Sequence, residues 1–584
     1  MQVKTEHLLE EFAPVSTAAW EAAIARDLKG ADYEKKLLWR TEEGLAVKPY
    51  YRAADLEGLA CVDAAPGAFP YRRGARSTAG WQIREEVDAP DPAEANRLAR
   101  AAVAAGAESI SFTAVQIGSA ADLEAALANL GEIPVHFGRA DQELIRLLAA
   151  RLQVQRDGLA ISAGCDPLLN LNFAAEILQA DVAGLVPFTV DAGRFEEAGA
   201  TAVEELGFAL AAGVDFLAAI EERGVAIDRA AAALEFSFSI GANYFFQIAK
   251  LRAFRMVWAR AVQSFLGSAA SARARIAART SYWNKTIYDP HVNILRTTTE
   301  AMAAILGGAD SVTIAPFDAC CKQPDEASRR LARNTQLLLK HEASFARVAD
   351  PAGGSYYVEF LTDHLAGEAW KTMQSIETKG GYRKAQSAGA LAPMLQRSIA
   401  VREAALAQRR RVLIGTNQFA NPAERALHRI DEERANTMKR GAQIYERLRL
   451  RTERHAAAGG AIPRVLLAEI GDVKLRTARA GFALNFFACA GFKITTRRFK
   501  RADEIAAADA DLLVLCAGDA EYAALVDELV PKLQSLERTT PVFIAGNPEI
   551  AAELKAAGVA ECIHLRTNVV DVLTKWQQRL GIRG

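Results

Sequence analysis

Short apolar runs alternate along this chain with longer stretches in which apolar residues return every third or fourth position. Residues 279–318, RTSYWNKTIYDPHVNILRTTTEAMAAILGGADSVTIAPFD, show the pattern most clearly. A strand ending near Thr280 leads through a loop to a helix over residues 292–306. In that helix Glu300, Ala301, Ala304 and Ile305 fall one turn apart, and Gly307-Gly308 stops it. A strand over 311–314 follows. Strand, helix and strand of these lengths make a βαβ unit and so a parallel sheet.

The same rhythm begins at Trp81. Strands are predicted at 81–87, 109–112, 133–137, 159–162, 185–190, 234–240, 275–279 and 311–314. Helices are predicted at 92–105, 141–151, 197–222, 243–265 and 325–345, among others. Eight strands, each followed by a helix, over roughly 260 residues match a (βα)8 barrel, whose chemistry lies at the C-terminal ends of the strands. A second α/β unit follows the linker HAAAGGAIP at 455–463. Its strands are predicted at 465–469, 492–496, 512–516, 542–545 and 562–565, with helices near 476–490, 520–535, 548–557 and 569–579. That succession predicts a flavodoxin-like sheet, with ligands beyond the strand ends at 469–474 and 516–519.

The fold class expected is therefore α/β: a (βα)8 barrel followed by a flavodoxin-like domain. Residues 1–60 read as an arm. They hold a helix over 17–29 and a hairpin of 37–41 with 45–50 around Glu43-Gly44, but too little apolar content for a core. The barrel is expected over 61–350, a charged helical region over 351–460 and the second α/β domain over 461–584. The arm must lie on its own barrel or on a partner.

At 584 residues, two or three domains are expected. A hydrophobic share of 51% and a charged share of 24% are those of a globular protein. The net charge of −1 gives no general attraction to nucleic acid or anionic membrane. The interleaved acids and bases of 432–454 read as a solvated or subunit-facing helix. Seven cysteines without a Cys-x-x-Cys pair, and a start, MQVKTEHLLEEF, without an apolar core segment, predict a cytoplasmic protein with reduced thiols. No metal site is expected, since Cys320-Cys321 lacks further ligands at suitable spacing. His136 reads as a hydrogen-bonded core or rim histidine, and His291 as a capping or surface residue.

Several long, irregular strings carry a resemblance. They are FPYRRG at 69–74, EEAGATAVEEL at 196–206, NYFFQIAKLRAFRMVWA at 243–259, RNTQLLLKHE at 333–342 and DPAGGSYYVE at 350–359. With the barrel and flavodoxin-like order, they resemble the cobalamin-dependent acyl-CoA mutases, methylmalonyl-CoA mutase above all, over nearly the whole chain. The resemblance implies a barrel that binds acyl-CoA beneath adenosylcobalamin, whose cobalt–carbon bond starts a radical rearrangement.

The chain departs from that family where the family does its chemistry. Active members place a Tyr-His pair before Glu-Ala-Gly-Ala; here the positions hold Gly193 and Arg194. The loop over 75–80 is short and lacks an aromatic residue, and Ser281, Tyr282 and Trp283 stand where active members carry His, Cys and Gln. In the second domain the family's Asp-x-His-x-x-Gly gives cobalt its ligand, but the loop 471–481 has no histidine. Lys474 and Arg476 fall near the Asp and His positions. Cys516, Gly518 and Gly546 stand where the family's Ser-x-Leu and Gly-Gly flank the cofactor tail.

These losses resemble the small subunit of heterodimeric methylmalonyl-CoA mutase. That resemblance implies no catalytic residue and no cofactor on this chain. Adenosylcobalamin would sit on the large subunit, which would be the partner and would interconvert methylmalonyl-CoA and succinyl-CoA. An active, divergent mutase with a changed cobalamin mode or substrate is the alternative. On the first reading the barrel mouth is expected to be filled by side chains, with Arg194 paired to Glu196 or Glu197.

Overall fold

The structure, a computed structural model, describes residues 15–155 and 158–582. The arm carries a helix, Thr17–Asp27, and a hairpin of β1 (Trp39–Arg40) and β2 (Ala46–Val47). Trp39 pairs with Val47 across the hairpin. Eight parallel strands then close into a barrel: β3 (Gln82–Val87), β4 (Ser109–Phe112), β5 (Val135–Phe137), β6 (Ile161–Cys165), β7 (Leu185–Asp191), β8 (Leu234–Ile240), β9 (Arg275–Thr280) and β10 (Ser311–Thr313). Closure is direct, with Val312 of β10 opposite Ile83 of β3.

The alternation within each strand decides what lines the lumen. In β8, Leu234, Phe236, Phe238 and Ile240 are buried among the surrounding helices. The ring of Phe236 lies 4.6 Å from Phe254 and 4.8 Å from Trp258 on helix Tyr244–Ser264. The opposite parity, Glu235, Ser237 and Ser239, is polar. β4 repeats the scheme, with Ile110 and Phe112 buried outward and Ser109 and Ser111 lining the lumen. Apolar packing is thus concentrated between strands and helices, and the axis of the barrel is polar.

Two predicted elements change shape. The helix expected over 197–222 is two, Gly193–Glu197 and Ala202–Glu221. Gly199 at φ +101° turns the chain between them, and Thr201 caps the second helix with Glu204 in a reciprocal box. The helix expected over 325–345 runs over Glu326–Leu337 and ends in a wider turn, Leu338–Glu342.

The second sheet is parallel, in the order β12-β11-β13-β14-β15. Its strands are β11 (Arg464–Glu469), β12 (Lys493–Arg498), β13 (Leu512–Cys516), β14 (Val542–Ala545) and β15 (Val559–Ile563). The last starts three residues before the predicted strand and ends at Ile563, which leaves Leu565 solvent-exposed beyond the sheet. Helix Gln443–Ala457 ties the sheet to the barrel. Its Glu446 accepts from Ile287 N at 2.9 Å, and its Glu453 from Tyr288 Oη at 2.7 Å. On its other side Leu448 O accepts from Gln577 Nε2 at 2.7 Å. No helix among the described residues is long and apolar enough to cross a membrane.

Candidate functional site

The mouth of the barrel forms where β7 gives way to helix Gly193–Glu197. Gly193 faces Arg279 of β9, and a Cβ added there would stand 2.8 Å from Arg279 Nη2. Arg279 is held by Glu197 at 2.9 Å and Asp191 at 3.6 Å. Burial works against its charge, but Asp191, Glu197 and Glu86 outweigh burial and hold its pKa above the usual arginine value. Glu86 on β3 is pushed the other way, its pKa raised by burial against the pull of Arg279.

Arg194 does not pair with Glu196 or Glu197. Its Nη1 lies 3.4 Å from Asp166 beyond β6, and its Nη2 donates to Tyr382 Oη at 3.0 Å. Both glutamates are taken by other partners. Ser281 Oγ donates to Glu196 Oε2 at 2.8 Å and accepts from Trp283 N at 3.0 Å. Arg402 reaches Glu196 at 3.5 Å and lies 4.2 Å over the ring of Trp283. Ser281, Trp283, Glu196 and Arg402 therefore form one self-paired wall, and Gly193 and Arg194 form its neighbour.

A cavity of about 280 Å³ remains beside Arg194 and Arg279, so side chains do not fill the mouth completely. It does not run straight through the barrel. Arg84 of β3 reaches across the lumen to Glu235 of β8 at 3.1 Å. His136 of β5 joins them, with Nδ1 2.8 Å from Ser162 Oγ and 3.6 Å from Glu235. Burial and Arg84 pull the His136 pKa down to about 4, against the opposing pull of Glu235. A second cavity of about 350 Å³ lies on the other side, toward Arg76 and Arg273. Arg84 lines both.

Sequence reasoning passed over Arg84, Glu86, Glu235 and Arg279. The signal was present: each is a charge on a barrel strand, and Arg84, Glu86 and Glu235 take the lumen-facing parity. His291, expected as a capping or surface residue, is an exposed residue at the start of helix Val292–Leu306; its side chain makes no cap and stacks on Phe317 at 5.1 Å.

At the second sheet the strand ends are occupied by the chain itself. Gly471 follows β11 at φ +79°, and a Cβ there would overlap the Glu521 carboxylate. Glu521 Oε2 accepts from Gly518 N at 2.6 Å, so Glu521 stitches the loop after β11 to the loop after β13. Beside it, a Cβ on Gly546 would lie 2.5 Å from Arg479 Nη1, and Arg479 donates to Asp519 at 2.9 Å. Lys474 is exposed, and Arg476 donates to Gly471 O at 3.1 Å. Cys516 is buried, and burial, with Glu469 adding, pushes its thiol up to about 12.

The methylmalonyl-CoA mutase family model matches residues 40–145 and 170–466. Over the whole of both chains, the sequence is 37% identical to the methylmalonyl-CoA mutase small subunit of Porphyromonas gingivalis. It is 35% identical to that of Streptomyces virginiae over 98% of each chain. The methylmalonyl-CoA mutase large subunit of Streptomyces virginiae is 30% identical over 76% of this chain and 67% of its own length.

Proposed function

The chain belongs to the methylmalonyl-CoA mutase family, and we propose that it serves there as the small, non-catalytic subunit of a two-subunit enzyme in the cytoplasm. On this reading the large subunit carries adenosylcobalamin and interconverts methylmalonyl-CoA and succinyl-CoA, while this chain completes and stabilises the assembly. Streptomyces virginiae has relatives named for both subunits, which favours the two-subunit arrangement.

The observation that carries the reading is the Glu521 carboxylate wedged between Gly471 and Gly518. The residues present do not fit a corrinoid bound through an imidazole. The loop 471–481 has no histidine, and the cleft into which the cofactor tail would descend holds Glu521, Arg479 and Asp519. A cation at Lys474 or Arg476 offers no lone pair to cobalt while ionised. The barrel mouth agrees, since Glu196, Glu197 and Arg194 all bind neighbours within this chain.

The arm supports the partner. No residue of helix Thr17–Asp27 is buried, although it carries Trp20 and Ile24. Such a helix is stabilised by packing against another surface, not by its own propensity. A pseudo-twofold pair of homologous chains supplies that surface, and an obligate interface of this kind buries more than about 2,000 Å².

The test is co-expression with a longer homologue that retains Tyr-His and Asp-x-His-x-x-Gly. A stable one-to-one complex with mutase activity, unchanged by Arg194→Ala, is expected. Turnover by this chain alone, or its loss in an intact complex carrying Arg194→Ala, overturns the reading.

A further inference from the structure

A cavity of about 600 Å³ is lined by Glu196, Ser281 and Trp283 of the barrel-mouth wall, and by none of the lumen side chains Arg84, His136 and Glu235. The arm hairpin bounds it through residues 39–43, and the start of helix Tyr244–Ser264 through Asn243 and Phe246. The segment after helix Ala392–Ala407 closes it with Arg410 and Arg411. Its size falls in the range of small-molecule sites.

The charges around the cavity decide what it can hold. Most are already paired: Arg40 with Glu34 at 3.1 Å, Glu205 with Lys250 at 2.6 Å, Glu196 with Arg402 at 3.5 Å, and Glu42 with Arg411. The exceptions are Glu43 and Arg410, which have no ion-pair partner among the described residues and do not pair with each other. They carry opposite signs. Both keep surface to offer a ligand, Glu43 being half-buried and Arg410 exposed. Burial, with Glu42 adding, holds the Glu43 pKa above the usual carboxylate value against the pull of Arg411, so a cation brought beside it is favoured. A cation alone would leave Arg410 unmatched, and an anion alone would leave Glu43 unmatched. Trp39 supplies a half-exposed ring in the same wall, and Phe246 supports that ring edge to face at 5.8 Å.

We propose that this cavity binds a small zwitterion, a molecule carrying an ammonium and a carboxylate on an apolar or aromatic body. The ammonium meets Glu43, the carboxylate meets Arg410, and the body lies against Trp39. The site is a binding site, separate from the lumen and independent of the subunit reading above.

Isothermal titration of the full-length chain tests it, alone and in complex with its partner subunit. The probes are phenylalanine, whose two charges are adjacent, and para-aminomethylbenzoate, whose charges stand at opposite ends of a ring. Benzylamine and para-toluate carry one charge each and serve as controls. At least one zwitterion should saturate below about 1 mM and bind more tightly than either control. Glu43→Gln should weaken it about tenfold, as for a charged hydrogen bond at a half-buried group. Arg410→Gln should weaken it about threefold, as for an exposed ion pair. Neither side chain has an ion-pair partner to lose, so both variants should melt with the parent. No saturation by either zwitterion up to about 10 mM, a control that binds as well as the zwitterions, or an affinity unchanged in both variants overturns the proposal. Binding by the free chain that is lost in the complex would assign Glu43 and Arg410 to the subunit interface and overturn it as well. The subunit reading stands or falls separately, on the activity of the complex.

Discussion

Arg279 occupies the space that a side chain on Gly193 would need. The guanidinium stands 2.8 Å from the position of a Cβ there, and Glu197 and Asp191 pin it in place. The glycine is therefore tied to an ion cluster contributed by a neighbouring strand. Gly193→Tyr should cost about 1–3 kcal/mol, because the arginine must leave two carboxylates to admit the ring. Urea unfolding reads the cost. In an Arg279→Ala background the penalty should shrink clearly, since the obstructing group is gone. An equal penalty in both backgrounds would show that this contact is not what excludes a side chain at 193.

The Arg84–Glu235–His136 layer makes stability depend on pH. In the unfolded chain a histidine takes its proton near 6.5, while folded His136 takes one only near 4. Between those values the unfolded state binds more protons, so stability falls as the pH falls. The contribution is fully present above about 6.5 and lost on the way down to about 4, on the order of 3 kcal/mol in all. His136→Gln keeps a partner for Ser162 and should flatten this limb of the profile. Denaturant unfolding at a series of pH values checks the slope, and a profile unaltered by the substitution rules the histidine out as its source.

Adding adenosylcobalamin to the isolated chain should leave the cofactor's visible spectrum unchanged. Restoring one ligand should not rescue binding. Arg476→His supplies an imidazole, but Glu521 and Arg479 still fill the cleft below it. A stoichiometric spectral shift with either protein would contradict the account of this cleft.

The barrel was legible because its strands are short apolar or alternating runs set between long amphipathic helices. Strands at Ser109–Phe112 and Leu234–Ile240 and the helix Val292–Leu306 fall at their predicted bounds. Pattern was less informative where the chain turns sharply. The break at Gly199 is hidden in a sequence whose apolar periodicity continues across it. Pairings distant in sequence could not be read at all. Arg194 finds Asp166 and Tyr382, whereas the neighbouring Glu196 is claimed by Ser281 and Arg402. Local charge spacing proposes partners, and the fold chooses among them. At 193, 194 and 471–481 the sequence alone shows only a departure from the resembled pattern; the neighbours those residues take in the fold could not be read from it.

The arm gives the sharpest test of the partner. Trp20 is 45% exposed, and among the described residues its ring contacts are the arm's own Tyr50 at 5.3 Å and Arg52 at 5.6 Å. Since no residue of helix Thr17–Asp27 is buried, truncating Trp20 should cost the chain's own stability less than about 1 kcal/mol. On the proposed subunit reading, the same indole would anchor the helix on the partner. Aromatic anchors of that kind carry about 2 kcal/mol or more, which corresponds to a loss of affinity of roughly thirtyfold. Trp20→Ala should therefore leave the melting curve of the free chain almost unchanged, while it speeds dissociation from the larger homologue and lowers mutase activity at dilute protein. Activity should return as the concentration is raised, because the defect is one of assembly. An equal melt with equal affinity would remove the arm from the interface. A depressed activity that concentration does not restore would place Trp20 in the chemistry instead.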